Sequence, residues 1–424
     1  MQLPETLEGW LGLLEARHGQ AIQLGLERVR LVRDALNLPQ ACPVFTIGGT
    51  NGKGSTCALL EAVLLAAGYR VGLYTSPHLL KYNERVRIDG RDASDEALVE
   101  AFSEVERARG EIPLTYFEHG TLAAWVAFCR SGLDAIILEV GLGGRLDAVN
   151  VFEPDCAIVT SVAMDHMDFL GDNREAIGFE KAGIFRAGRP AICSDPMPPA
   201  SLVAHAEAIG AKLWVTGRDF GFAGDQNQWA FWLAGGSRRG GLAYPALRGT
   251  NQLLNASAVM AACEAVREIL PVPMQAIRQG FMLVELPGRF QVLPGRPAVV
   301  LDVAHNPQAA GVLNENLASM GYFPETWAVL GMLGDKDVAG VVRLLRDRVD
   351  HWRLASLPGP RGLSAARLAE ILREVGVSGD VSEHDSPRAA YQVARDGAAE
   401  GDRIVIFGSF LTVADVLAAV KAPQ

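Results

Sequence analysis

Short, uninterrupted runs of apolar and β-branched residues recur along the chain, each followed by a longer stretch with helical spacing. They are Val44–Ile47, Val71–Tyr74, Ala135–Val140, Ala157–Ser161, Val299–Val303, Trp327–Leu330 and Ile404–Phe407. Strands that alternate with helices predict parallel sheets joined by βαβ crossovers. Runs without polar alternation predict sheets covered by helices on both faces. The fold class is therefore α/β. Its 424 residues are comfortable for two domains. Residues 217–249, rich in Gly, Trp and polar side chains, read as meandering hairpins. Leu286-Pro287-Gly288-Arg289 then leads into a fresh strand. The expected division is 1–285 for an N-terminal and central domain and 286–424 for a smaller C-terminal α/β domain.

Charge and cysteine usage narrow the function classes. With 39 basic and 49 acidic residues the formal charge is −10, so the chain gains nothing from counterion release on a nucleic-acid backbone. Small anions remain possible, because backbone N–H groups and a metal ion overcome a negative global field locally. The six cysteines are scattered without a C-x-x-C pair and read as reduced thiols. The first residues lack the layout of a signal peptide, and no apolar run approaches the ~20 residues of a membrane span. The expectation is a cytoplasmic protein that binds neither membrane nor nucleic acid, and nothing demands more than a monomer.

One segment carries specific chemistry. The strand ending at Ile47 runs into Gly49-Thr50-Asn51-Gly52-Lys53-Gly54-Ser55, with a helix expected from about Ser55. Glycines let successive N–H groups turn inward on an anion, and the helix N-terminus adds partial positive charge. Lys53 supplies a cation to terminal phosphates, and Ser55 or Thr56 a hydroxyl. The loop is shorter than G-x-x-x-x-G-K-[ST] and places Gly54 directly after Lys53, which argues against ordinary GTPases and motor ATPases. ATP brings Mg²⁺, which prefers oxygen ligands and takes few from protein. Glu139 ends a strand before a glycine-rich loop carrying Arg145 and Asp147, where a carboxylate would point into a nucleotide crevice. His166 follows another strand. By its residue type alone it reads as a hydrogen-bonded histidine as readily as a ligand. Lys181, at a helix end, is either a surface lysine or a desolvated amine reactive towards CO₂.

Taken together, GTNGKGS (49–55), TSPHL (75–79), YFEHGTLAAW (116–125), LEVGLGGRLDAVN (138–150), DHMDFLG (165–171), EKAGIFRAGRP (180–190), LPGRF (286–290), LDVAHNP (301–307) and FGSFLTV (407–413) resemble the folylpolyglutamate synthase and dihydrofolate synthase family. That family is a branch of the Mur-ligase-like amide ligases. The resemblance implies a central Mur-ligase-like domain with a phosphate-loop parallel sheet and a Rossmann-like C-terminal domain. It implies that Thr50, Asn51, Gly52, Lys53, Gly54 and Ser55 hold the triphosphate, with Asn255, Arg289 and Asp302 also on ATP. Ser76, Glu139 and His166 would ligate Mg²⁺, and Lys181, as a carbamate, would help place a second ion. His305 and Ser409 would lie near the incoming glutamate. The pterin or folate would meet Ile22, Gln23, Leu24, Gly25, Thr115, Tyr116, Phe117, Glu118, Leu146, Asp147 and Ala148. The segment 22–29 resembles the stretch that bifunctional members use on the pterin acid; on its own it reads as an amphipathic helix.

The implied reaction joins L-glutamate to dihydropteroate and to the γ-carboxyl of reduced folates, with ATP as co-substrate, through an acyl phosphate. Lys53 would neutralise developing charge, and His305 is the candidate base. Three other readings compete: folylpolyglutamate synthesis alone, a Mur-type ligase acting on a UDP-sugar, and a non-catalytic nucleotide-binding scaffold. Only about 45 residues precede the phosphate loop, too few for a nucleotide-sugar domain. A scaffold need not retain Lys53, Ser76, Glu139, His166 and Lys181 together.

Overall fold

A computed structural model describes residues 3–17, 23–225, 227–236, 238–249, 251–377 and 379–421. The chain divides into two compact units, one formed by Met1–Ala246 with Leu253–Val284, the other by Leu247–Gln252 with Glu285–Gln424.

The first unit is built on eight strands: β1 (Val44–Gly48), β2 (Val71–Tyr74), β3 (Val86–Ile88), β4 (Arg91–Asp92), β5 (Ala135–Glu139), β6 (Cys156–Val159), β7 (Pro190–Cys193) and β8 (Lys212–Val215). They lie in the order β4-β3-β2-β5-β1-β6-β7-β8. From β2 to β8 every pairing is parallel. All residues of β1 and β5 are buried, as expected of strands covered on both faces. From β1 the chain moves out to β2 on one side, then returns through β5 and crosses β1 to reach β6. The end of β1 is therefore a topological switch point, where a doubly wound sheet opens a crevice.

Two expectations need correction. The sheet is not wholly parallel: β3 and β4 pair antiparallel at one edge. The chain leaves β2, makes a 3-10 turn over Tyr82–Arg85 and folds straight back, and a return that short cannot cross over. The described part of the 22–29 segment, from Gln23, is also not a continuous helix. The helix begins only at Glu27, and Gln23–Gly25 is irregular, with Gly25 at φ 141°. The expected meander is present as β9 (Phe220–Gly224), β10 (Trp229–Leu233) and β11 (Arg238–Leu242), an antiparallel three-stranded sheet.

The second unit carries β12 (Gln291–Leu293), β13 (Ala298–Leu301), β14 (Thr326–Leu330), β15 (His351–Ala355), β16 (Asp380–His384) and β17 (Arg403–Phe407). Their order is β12-β13-β17-β14-β15-β16, parallel except for β12. Its core contains Val300, Leu313, Leu330, Trp352, Leu354 and Phe407 and is separate from that of the first unit. No helix among the described residues is long and apolar enough to cross a membrane. The six cysteines are free thiols, four of them buried.

The helix Lys53–Ala66 that follows β1 is crossed closely by the helix Met274–Leu283. A Cβ on Gly280 would lie 2.6 Å from the Val63 backbone, so only glycine permits this approach. Gly280→Val should lower stability by about 1–3 kcal/mol through overpacking. Gly280→Ala should also lose stability, because the contact is with backbone and outweighs the helix-propensity gain of about 1 kcal/mol. Urea denaturation of the two variants measures both effects.

Candidate active site

The loop after β1 is braced by its neighbour strand. Thr50 N–H donates to Ser161 O at 2.7 Å and Asn51 N–H to Ser161 Oγ at 3.0 Å. Thr160 Oγ1 donates to Asn51 O at 2.6 Å, and Thr50 Oγ1 receives the Ala163 N–H at 3.0 Å. A Cβ on Gly49 would lie 1.9 Å from Thr160 Oγ1, and one on Gly52 would lie 2.7 Å from Asn255 Oδ1. Gly49 (φ 143°) and Gly52 (φ 89°) both need backbone angles that favour glycine. The helix starts at Lys53, two residues earlier than expected, and Gly52 gives it no side-chain cap. Its first N–H groups are thus presented at the mouth of the crevice, the arrangement that receives phosphate. Lys53 Nζ curls back onto Gly49 O at 3.1 Å and Thr50 O at 3.3 Å. Thr160 and Ser161 were not singled out by the sequence; small hydroxyl residues at the end of β6, beside the loop-bearing strand, were the available signal.

Glu139, buried at the end of β5, accepts the Ser76 N–H at 3.0 Å. A carboxylate beside a serine is an oxygen donor set of the kind Mg²⁺ takes. Among the described residues no cluster of three or more His, Cys, Asp and Glu could hold a metal ion. His166 adopts φ 52° ahead of the short helix Met167–Leu170, and its ring is partly exposed. Lys181 lies in the last turn of the helix Arg174–Ala182 and is 3% exposed. Burial pushes its ammonium down to about 7, Lys53 adds to this, and Asp165 and Asp147 oppose it. The loop of residues 141–147 is clamped on this helix end: Arg145 N–H donates to Glu180 O at 2.8 Å. A Cβ on Gly144 would stand 3.1 Å from the Lys181 Cα.

Three stretches expected on the acceptor side are brought together by bonds between them. Ile22 lies outside the described residues. Gly25 N–H donates to Leu146 O at 3.2 Å. Thr115 caps the helix Tyr116–Cys129, in a box with Glu118. Phe117 presses on the glycine loop, since a Cβ on Gly141 would lie 2.5 Å from its ring. Its ring is 6.0 Å from that of Tyr74. Tyr116 packs edge-on to Tyr82. Asp147 accepts the N–H groups of Leu142 at 2.8 Å and Val149 at 3.0 Å, which holds Leu146 and Ala148 in place. Burial pushes the Asp147 carboxyl up to about 6, against the pull of those N–H groups, that of Gly141 and Lys53.

In the second unit Asp302 directly follows β13 and accepts the N–H groups of Phe290 at 3.0 Å and Ala304 at 2.8 Å. Burial raises its carboxyl and the neighbouring Arg289 lowers it. The Arg289 guanidinium lies 5.0 Å from the Phe410 ring centroid. His305 Nδ1 lies 2.9 Å from Val303 O; a carbonyl only accepts, so Nδ1 carries the proton and Nε2 is the basic nitrogen. Gly408 N–H donates to Ala304 O at 2.9 Å, which brings buried Ser409 beside the 302–305 turn.

The Mur ligase middle domain family model matches residues 47–219, and the Mur ligase, glutamate ligase domain model matches 288–410. The chain is 44% identical over 422 residues to the dihydrofolate synthase/folylpolyglutamate synthase of Escherichia coli strain K12, covering 99% of this chain and 97% of the relative. It is 40% identical to the Haemophilus influenzae protein of the same name, covering 99% of each. Among solved structures, Escherichia coli FolC in complex with DHPP and ADP superposes with a TM-score of 0.94 at 44% identity, over 100% of this chain and 99% of that one. A bifunctional folylpolyglutamate synthase/dihydrofolate synthase with Mn, AMPPNP and L-glutamate bound gives 0.91 at 46% identity, over 99% and 100%.

Lys181 gives a prediction whose sign follows from its direction of shift. The folded state holds the amine near 7, and an unfolded lysine titrates near its ordinary ~10.4. Between these values the unfolded chain binds more protons, so this group's contribution to stability rises with pH. Lys181→Met should therefore be more stable than the parent. The gap should be largest below about pH 7 and shrink towards ~pH 10. Urea melts at pH 6.5 and 9.5 measure it; a pH-independent gap would show that the amine is not desolvated.

Proposed function

The chain belongs to the dihydrofolate synthase/folylpolyglutamate synthase family of Mur-type ligases, and from that premise we infer that it uses ATP to join L-glutamate to dihydropteroate and to the γ-carboxyl of reduced folates. The observation that carries the reading is the convergence in one unit of an uncapped, braced phosphate loop with the three acceptor segments. The relatives' complexes with DHPP, ADP, AMPPNP and L-glutamate support it.

Thr50 to Ser55 hold the triphosphate in this reading, with Asn255 beside Gly52 and with Arg289 and Asp302 as further ATP contacts. The acceptor carboxylate attacks the γ-phosphorus, the bond to the ADP oxygen breaks, and an acyl phosphate forms. Lys53 moves from its backbone acceptors onto the phosphates and offsets charge as it develops. The glutamate amine then attacks the acyl carbon and phosphate leaves. Before that attack the ammonium gives up a proton; His305 is the candidate base, with Nε2 as the accepting nitrogen because Nδ1 faces Val303 O. Ser409 beside it orients the glutamate. The acceptor pocket is made by Gln23, Leu24, Gly25, Thr115, Tyr116, Phe117, Glu118, Leu146, Asp147 and Ala148.

Ser76, Glu139 and His166 are assigned to one Mg²⁺, and Lys181, as its carbamate, to a second. When bound, the ions neutralise phosphate charge and orient the γ-phosphoryl group. The neutral amine that burial favours at Lys181 is the form that reacts with CO₂. We place the protein in the cytoplasm as a monomer; its six free thiols suit a reducing compartment.

The test is ATP-dependent incorporation of labelled glutamate into dihydropteroate, a reduced folate and a UDP-muramoyl acceptor, side by side. The first two should be glutamylated and the third not. Incorporation into the folate alone would reduce the reading to folylpolyglutamate synthesis, and failure with all three would leave a nucleotide-binding scaffold. Lys53→Ala should lose turnover by at least about 10³-fold with its fold intact by circular dichroism.

A further inference from the structure

Arg28 lies in the 22–29 segment but carries no individual role in the assignments above, and its side chain touches two of the three acceptor segments. Its Nη2 donates to Glu118 Oε1 at 2.7 Å and to Gln23 O at 3.1 Å, and its Nε lies 3.4 Å from Glu118 Oε2. Glu118 is 4% exposed and Arg28 20%, so the pair is largely shielded from water. The same Glu118 carboxylate accepts the Thr115 N–H at 2.7 Å. One guanidinium thus joins the irregular Gln23–Gly25 stretch to the first turn of the Tyr116–Cys129 helix. The third segment enters through the Gly25 N–H to Leu146 O bond. The helix that carries Arg28 is itself fixed at its other end, where Arg33 Nη1 donates to Val151 O at 2.5 Å, just beyond Ala148.

We propose that Arg28 is a positioning residue that holds the acceptor pocket in shape and sets its preference for dihydropteroate over reduced folates. The proposal rests on the functional reading above. Gln23–Gly25 is irregular, and Gly25 has the freedom of a glycine, so its place is dictated by its ties to neighbouring segments. A planar fork reaches two acceptors at once, which a point charge does less well. Dihydropteroate has no glutamate, so its binding depends wholly on the pteroyl pocket. A reduced folate brings glutamyl carboxylates as further handles, and a loosened pocket costs it less.

Steady-state constants of the full chain with Arg28→Ala and Arg28→Lys test this. Arg28→Ala should raise KM for dihydropteroate by about tenfold or more, KM for tetrahydrofolate by less than about threefold, and KM for ATP by less than about twofold. Arg28→Lys keeps a cation beside Glu118 and should remain folded if Arg28→Ala does not; its KM for dihydropteroate should fall between those of the parent and the alanine variant. An unchanged dihydropteroate KM, or an equal rise for both acceptors, would overturn the proposal and leave the functional reading intact. A parent enzyme inactive on dihydropteroate would instead remove the reading on which it rests.

Discussion

The first unit is organised around the place where β1 stops. A central strand with neighbours on both sides can end only where its backbone finds new partners, and here Thr160 and Ser161 at the end of β6 provide them. Their hydroxyls and carbonyls hold the loop open as a ring of backbone while leaving the following helix without a side-chain cap. A helix N-terminus in a crevice attracts negative charge, and its first N–H groups suit an anion. The candidate site residues of the unit gather around this helix start. Glu139 comes from one neighbouring strand, the bracing hydroxyls from the other, and Lys53 from the helix itself.

Lys181 shows a second use of burial. A lysine in the last turn of a helix ordinarily extends into water, where its charge complements the helix dipole. Here the loop of residues 141–147 lies across the helix end, and two of its contacts need glycine: Gly144 against Lys181 and Gly183 against Arg145. The close approach sets the loop against the backbone of the helix turn that carries Lys181, whose amine is desolvated by burial.

Much of this was legible in the sequence, and the exceptions share a cause. β1, its loop and the helix could be read because strand, glycines, lysine and hydroxyls are consecutive, and local order is what a sequence displays. β16, with mostly exposed residues such as Asp380 and Glu383, carries no apolar run and becomes a strand only by pairing with β15. The antiparallel β3 and β4 were hidden because they are too short, at three and two residues, to show a pattern. Among candidate site residues, Glu139 could be picked out by its place at a strand end, whereas for Lys181 the sequence left a surface lysine and a desolvated amine both open. The bracing by Thr160 joins residues 109 apart in the chain and the Arg28–Glu118 pair residues 90 apart; only the fold makes such pairs neighbours. The plain helical alternative for the 22–29 segment holds only from Glu27, and Gly25 lies in the irregular stretch before it.

The course of the chain between the two units carries a consequence for synthesis. Residues 247–252 group with the second unit, although the helices of 253–284 that follow belong to the first. As the polypeptide leaves the ribosome, the first unit is still incomplete when the opening piece of the second has already emerged. Its close helix crossing at Gly280 is supplied only afterwards. Neither unit is a contiguous stretch that could finish before the other begins, so the two are interleaved in time as well as in sequence. A truncation at 284 would carry an orphaned piece of the second unit in its middle, and no single cut yields two whole parts.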